Sequence, residues 1–184
     1  ALHRLVAESH RGRRFALILL DLDNFKHFND THGHDVGDEL LRSFGLLLQT
    51  AGRSVDTAAR YGGEEFALLL VDVTTVEAFE VADRLRRHLT EELQDFGRVT
   101  ASFGVGLFDP RRMEASTLVR KVDEALYTAK ALGRDRVMEV SPLRGTSGGA
   151  GPATQSRLQP VVLETRPGTS PVRSAVQAAD PSFP

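Results

Sequence analysis

"VDTAARYGGEEFALLLV", residues 55–71, sets two apolar-rich runs on either side of Gly62-Gly63. A glycine pair between such runs is the two-residue turn signal of a β-hairpin. The second run opens with two adjacent acids, Glu64 and Glu65, before it becomes wholly apolar. A strand that starts on paired carboxylates at the lip of a glycine turn needs a chemical reason for the charge.

Outward from the hairpin, "RFALILLDLD" (14–23) is apolar on both faces, as a central strand covered by helices must be. In 34–52, Leu40, Leu41, Phe44, Leu47 and Leu48 recur at helical spacing and stop at Gly52. Residues 75–93 predict a second helix with Ala78, Ala82, Leu85 and Leu89 on one face. "RVTASFGVGLF" (98–108) reads as an alternating strand, and Leu118, Val122, Ala125, Ala129 and Leu132 mark a third helix ending at Gly133. "DRVMEV" (135–140) supplies a closing strand. The order β, α, hairpin, α, β, α, β predicts an α+β domain, a mostly antiparallel sheet with helices packed on it.

Composition narrows the classes of function. The chain has 184 residues, 41% hydrophobic and 26% charged, with a net charge of −2, so no global basic field points to nucleic acid or a membrane surface. It contains no cysteine, which excludes disulfides and thiolate zinc sites and suits a reducing, cytoplasmic setting. Its longest apolar runs fall far short of the roughly 20 residues that span a bilayer. The first residue is Ala and no signal-peptide pattern follows, so the chain reads as a piece of something longer. Seven of the eight prolines lie at or beyond Pro142, and "SPLRGTSGGAGPATQS" mixes them with small polar residues. The expectation is a folded domain over 1–140 and a disordered tail over 141–184, because such a composition buries too little apolar surface to offset its ordering entropy. Within that tail "LQPVVLET" has the look of a docking peptide or a solvated linker.

Asp21 and Asp23 end the first strand two apart and should share a face, while Glu64 and Glu65 should point to opposite faces. If the strand ends are neighbours, Asp21 meets one glutamate and the other lies at the rim. Clustered carboxylates repel, so they require a cation or raised pKa values, and hard oxygen donors favour magnesium. "NFKHFNDTHGHDVGD" (24–38) supplies a loop with free backbone N–H groups at a helix start, a phosphate cradle. Asn29 and Asp38 can read a base edge: a carboxylate accepts from guanine N1–H and its amino group, and adenine has no such donor pair. Lys130 and Arg134, four apart near a helix C-terminus and on a face with Tyr127, read as clamps on a triphosphate. His27, His32 and His34 raise a transition-metal reading, but no carboxylate at helical spacing completes a compact set.

"DLDNFKHFNDTHGHDVGD" (21–38), "RYGGEEF" (60–66), "TASFGVG" (100–106) and "DEALYTAKALGRDRV" (123–137) together resemble the GGDEF family of diguanylate cyclases, in family order and spacing. The resemblance implies a palm-like, nucleotidyl-cyclase-like fold that condenses two GTP molecules into cyclic di-GMP as a homodimer. It implies two magnesium ions per site, with manganese as an alternative, held by Asp21, the Leu22 carbonyl, Glu64 and Glu65. Glu64 also takes the general-base position. Asn29, His34 and Asp38 match positions around guanine and ribose. The backbone of Asn24, Phe25 and Lys26, with Lys130 and Arg134, matches the phosphate grip. Gly62 and Gly63 let the ligand approach without a Cβ in the way. "RSVD" places Arg53 and Asp56 five residues before Gly62, where the family carries its product-inhibition motif, and Arg84 resembles the second contact to that ligand. The family's opening "DxLTGLxNRR" segment is absent, so "ALHRLVAESHRGRRF" should hold only the end of its helix. Two rivals stand beside this reading. One is a non-catalytic module that binds GTP or cyclic di-GMP, and the other a regulatory protein whose tail recruits a partner; an ATP-using cyclase is disfavoured by Asp38.

Overall fold

A computed structural model describes residues 2–9 and 13–140, so the expected tail at 141–184 and its "LQPVVLET" segment lie outside the described residues. Helix α1 (Leu2–Ser9) leads into strand β1 (Phe15–Leu22), then α2 (Phe25–His32), α3 (His34–Ala51), β2 (Thr57–Arg60), β3 (Glu65–Val71) and α4 (Thr75–Glu92). A single 3₁₀ turn (Gln94–Phe96) precedes β4 (Ala101–Leu107), α5 (Ala115–Ala131) and β5 (Val137–Glu139). Among the described residues the strands form one sheet in the order β2-β3-β1-β4-β5. β5 pairs with β4 in parallel and the other pairs are antiparallel, so the α+β expectation holds.

β1 is buried along its whole length because successive side chains enter two cores. Ala16, Ile18, Leu20 and Leu22 pack with Leu40, Leu41, Phe44 and Leu48 of α3 and with Ala78, Ala82, Leu85 and Leu89 of α4. Phe15, Leu17 and Leu19 face the other way, onto Leu5 of α1 and Leu118, Val122 and Leu126 of α5. The sheet is therefore a middle layer, and its odd-numbered face in β1 and β3 belongs to α5. The α4 stripe lies where its spacing put it. Its start is fixed by a reciprocal cap, with Glu77 N–H donating to Thr74 Oγ1 and the Glu77 carboxylate accepting from Thr74 N–H at 2.7 Å.

Three local expectations change. β4 is buried on both faces rather than alternating, with α4 on one side and α5 on the other. Gly104 and Gly106 make that possible: a Cβ at 104 would lie 2.7 Å from the Leu126 backbone nitrogen, and one at 106 would lie 2.7 Å from Val122 Cγ2. The stretch expected to be a loop before α3 contains a helix of its own, α2, which Asn24 starts from the left-handed region at φ 57° and Gly33 ends at φ 86°. The hairpin exists, but its turn is residues 61–64 rather than a glycine pair alone. Arg60 pairs with Phe66, Tyr61 N–H donates to Glu65 O at 2.7 Å, and neither turn glycine has a positive φ.

Candidate active site

The β1–β3 register ends on the pair Asp21↔Glu65. Both residues are odd-numbered on strands whose odd positions face α5, so their carboxylates emerge together at that end of the sheet. Asp21 is 4% exposed. Glu64 is the last residue of the turn, and its carbonyl accepts from Leu22 N–H at 3.3 Å, which places it at the rim as expected. A Cβ at Gly62 would push the Glu65 carboxylate from its place, whereas nothing lies within 4 Å of a Cβ at Gly63. Arg60 holds the turn from outside, with Nε and Nη2 donating to the Gly63 carbonyl at 3.1 and 2.6 Å and Nε also reaching Gly62 O at 3.2 Å.

The electrostatics are those of a crowded anionic site. Burial pushes the Asp21 carboxyl up; Lys130 opposes that shift, Asp23 adds to it and Arg134 opposes it. Glu64 is raised first by burial and then by the Asp21 charge, and Glu65 by the same two causes with a further contribution from Asp123. Lys130, in the last turn of α5, brings Nζ to 2.7 Å from Asp21 Oδ2. Arg134 is not on that helix face. It lies beyond Gly133 at φ 64°, so the four-residue spacing to Lys130 reflects a C-terminal turn, and Tyr127 stands out in solvent at 73% exposure.

Asp23 departs from the shared-face expectation because β1 ends at Leu22. Its carboxylate turns instead to β4, accepting from Ser102 Oγ at 2.7 Å and Thr100 Oγ1 at 2.8 Å.

The residues that the sequence offered for base reading, Asn29 and Asp38, lie together on the α2–α3 corner. Asn29 Oδ1 is buried and, among the described residues, has no hydrogen-bond partner. It rests against the backbone of Gly37, where any Cβ would strike it, and so sits beside Asp38. Asp38 is exposed and lines a cleft of about 380 Å³ with Leu41, Arg42, Arg60 and Phe66. His34 is exposed as the first residue of α3. The first intrahelical bond of α2 is Phe28 N–H to Asn24 O, so the N–H groups of Phe25, Lys26 and His27 precede the ladder. The free N–H groups expected over Asn24–Lys26 therefore stand at the start of α2. His27 and His32 line a different cleft, of about 440 Å³, with Phe28, Phe96 and Arg98.

Among the described residues no three His, Cys, Asp or Glu side chains converge on one point as they stand. His27 and His32 share one cleft and His34 is not among its lining residues, so the three histidines do not form one donor set there. At the carboxylates, Lys130 Nζ lies 2.7 Å from Asp21 Oδ2 and partly offsets that charge. The donor set still fits a hard divalent ion, since the register brings Asp21 and Glu65 together, Glu64 adjoins them, and burial and mutual repulsion raise all three.

Arg53 and Asp56 are paired, with Nε 3.4 Å from Oδ2, but Asp56 is also built into the chain. Its Oδ2 accepts from Arg53 N–H at 2.8 Å and its Oδ1 from Val71 N–H at 3.0 Å, while Arg53 Nη2 donates to Val71 O. Arg84 is exposed on α4. Three contributors escaped the sequence reading: Arg60 on the turn carbonyls, Gly37 under Asn29, and Asp23 as a cross-strand acceptor. An arginine directly before the glycine turn and a glycine one residue before Asp38 were the available signals.

Comparison with known proteins identifies the family and the fold. Residues 1–136 match the family model described as diguanylate cyclase, GGDEF domain. The chain is 38% identical over 133 residues to the response regulator PleD of Caulobacter vibrioides, covering 69% of this chain and 29% of that protein. It is 41% identical over 140 residues to diguanylate cyclase VdcA of Vibrio cholerae, covering 70% of this chain and 40% of the relative. The chain thus spans well under half the length of these relatives. Among solved structures, it is similar to the GGDEF domain of DgcB from Caulobacter crescentus in complex with c-di-GMP, with a TM-score of 0.71 and 30% identity over 77% of this chain and 86% of that one. An active GGEEF domain of a diguanylate cyclase from Vibrio cholerae gives a TM-score of 0.69 at 28% identity, over 77% and 97% of the two chains.

Proposed function

The chain belongs to the family of GGDEF-domain diguanylate cyclases, and on that premise we propose that it condenses two GTP molecules into cyclic di-GMP and two pyrophosphates. The observation that carries this reading is the Asp21↔Glu65 register pair, with Glu64 beside it and Lys130 against it, at the mouth of the sheet.

Asp21, Glu64, Glu65 and the Leu22 carbonyl would hold the divalent metal, magnesium with two ions per site or manganese in its place. Such ions lower the pKa of a ribose hydroxyl and offset charge on the phosphates. The chain's own groups do the rest. Asp38 accepts from guanine with Asn29 beside it, and His34 lies toward the ribose. N–H groups over Asn24, Phe25 and Lys26 cradle the phosphates. Glu64 takes the proton of the 3′-hydroxyl as its oxygen bonds to the α-phosphorus of the facing GTP and the bond from that phosphorus to pyrophosphate breaks. Lys130 and Arg134 spread the charge of the departing pyrophosphate.

Each domain holds one GTP, so a second copy must face it to supply the other reacting group, and catalysis requires a homodimer. Product feedback runs through Arg53, Asp56 and Arg84, a reading supported by the "RSVD" register and by relatives solved with c-di-GMP. The catalytic unit spans 1–140, and with no long apolar helix among the described residues and no cysteine in the chain, a cytoplasmic setting fits it. Chromatography of products after incubation with GTP and magnesium tests the reading. A cyclic di-GMP peak is expected; GTP bound but unchanged would leave a binding module instead.

A further inference from the structure

Gly133, Arg134 and Asp135 stand consecutively at φ 114°, 64° and 45°. Two non-glycine residues in a row in the left-handed region persist only where neighbours over-determine the backbone. Two anchors from distant parts of the chain meet this turn at Asp135. Asp135 N–H donates to Asp23 Oδ2 at 3.0 Å, and Asp135 Oδ1 accepts from Arg86 Nη1 of α4 at 2.8 Å. Each anchor is itself held. Asp23 also accepts from the Thr100 and Ser102 hydroxyls, and its N–H donates to Thr100 O at 2.9 Å. Arg86 Nε donates to Asp83 Oδ1 at 3.0 Å. The helix end closes the third side, with Arg134 N–H donating to Ala129 O at 3.0 Å.

Among the described residues, the free projection from this turn is the Arg134 side chain, which is exposed and stands just past the end of α5, the helix whose Lys130 Nζ lies 2.7 Å from Asp21 Oδ2. Asp23 is two residues from Asp21, yet its oxygens already accept three hydrogen bonds, so it is poorly placed to be a metal ligand.

We propose that Asp23 and Arg86 are positioning residues that lock the turn at Gly133–Asp135 and thereby aim Arg134 at the triphosphate. The inference rests on the reading of Arg134 as a phosphate clamp. A carboxylate suits the task because three donors converge on it, and an amide at 23 offers only one acceptor atom. Arg86 adds a second hold from the opposite side, on the helix that also carries Arg84.

The test is a double-mutant cycle on the full chain, read as calorimetric Kd for an α,β-methylene analogue of GTP and for GMP. Asp23→Asn is expected to weaken the analogue by about tenfold while leaving GMP within about twofold, since only the distal phosphates reach Arg134. Arg134→Ala should do the same, and the double variant should bind no worse than Arg134→Ala alone. Effects that multiply, or an equal loss for GMP, overturn the positioning role while leaving Arg134 as a clamp. An unchanged affinity in Arg134→Ala overturns the clamp itself, and this inference with it. If Asp23→Asn does not fold, Arg86→Gln runs the same cycle with the same expected outcome.

Discussion

The Lys130 ammonium lies 2.7 Å from Asp21 Oδ2, joining the last turn of a helix to the penultimate residue of the central strand. The carboxylate is nearly enclosed, whereas the lysine side chain is 32% exposed. Lys130 therefore serves as the counter-charge of Asp21 whenever no other cation does. Lys130→Met should lower the stability of the metal-free protein by about 1–3 kcal/mol, less than for a fully enclosed pair because the lysine is part-solvated. Magnesium should then restore more stability to the variant than it adds to the parent. Urea unfolding with EDTA and with magnesium measures both, and equal metal responses would separate Lys130 from the ion site.

Glu64→Gln keeps the shape of the rim and removes its base. Turnover of GTP is expected to fall by about 10²–10⁴-fold while affinity for GTP changes only a few-fold. Steady-state product formation beside calorimetric GTP binding reads the two separately. Normal cyclic di-GMP production would remove Glu64 from the chemistry.

Guanine selectivity should reside in Asp38 and Asn29. Asp38→Ala leaves the guanine donors without an acceptor and is expected to cost GTP about 10–100-fold in affinity while ATP, weak at the start, hardly changes. A competition titration of the two nucleotides checks this. A parallel loss for both would mean that the residue supports the corner rather than reads the base.

Asp56 and Arg84 should behave unequally even if both contact product. Asp56 accepts from two backbone N–H groups, of Arg53 and Val71, so Asp56→Ala is expected to cost about 1–3 kcal/mol of stability along with any product binding. Arg84 is exposed, and Arg84→Ala should stay within about 0.5 kcal/mol of the parent. Denaturation curves paired with cyclic di-GMP titration distinguish the scaffold role from the ligand role.

The cap of α4 gives a pH signature far from the site. Hydrogen bonds from the Thr74 backbone N–H, then its hydroxyl, hold the Glu77 carboxyl below its ordinary value. A depressed carboxyl contributes stability that is present above the unfolded pKa of about 4.3 and is lost as pH falls through the folded one. The Tm difference between the parent and Glu77→Gln should therefore be widest near neutrality and close below about pH 4. A difference that persists in acid would show that the charge plays no part.

The large elements were legible because their cause is local. Leu17 and Ile18 announce opposite faces of one buried strand, and the Ala78–Leu89 stripe announces one face of one helix. The meeting of Asp21 with a glutamate was legible from the residues only if the two strand ends were neighbours, because the hairpin sets β2 against β3 while the β1–β3 pairing that selects Glu65 is long-range. What the chain concealed depends on partners far away or on unusual backbone. Asp23 is committed to Thr100 and Asp135, separated from it by 77 and 112 residues. α2 begins on a left-handed Asn24 and contains Asn29 and Thr31, poor helix formers that the Phe25 and Phe28 contacts sustain. Arg134 looked like the next step of a helical face because nothing local shows that the chain reverses its handedness at Gly133.

The two glycines of β4 set the reach of the cations. Helix α5 is seated directly on the strand where side chains are missing, and Lys130 rides on that helix four residues after Leu126. A methyl group at 104 would act as a shim, lifting the far end of the helix away from the sheet while the rest of the core stayed packed. The ammonium would then stop short of Asp21, and a protein that still folds would hold its charges out of register with its acids. At this position, the backbone's closeness is a ruler for distance rather than a source of stability.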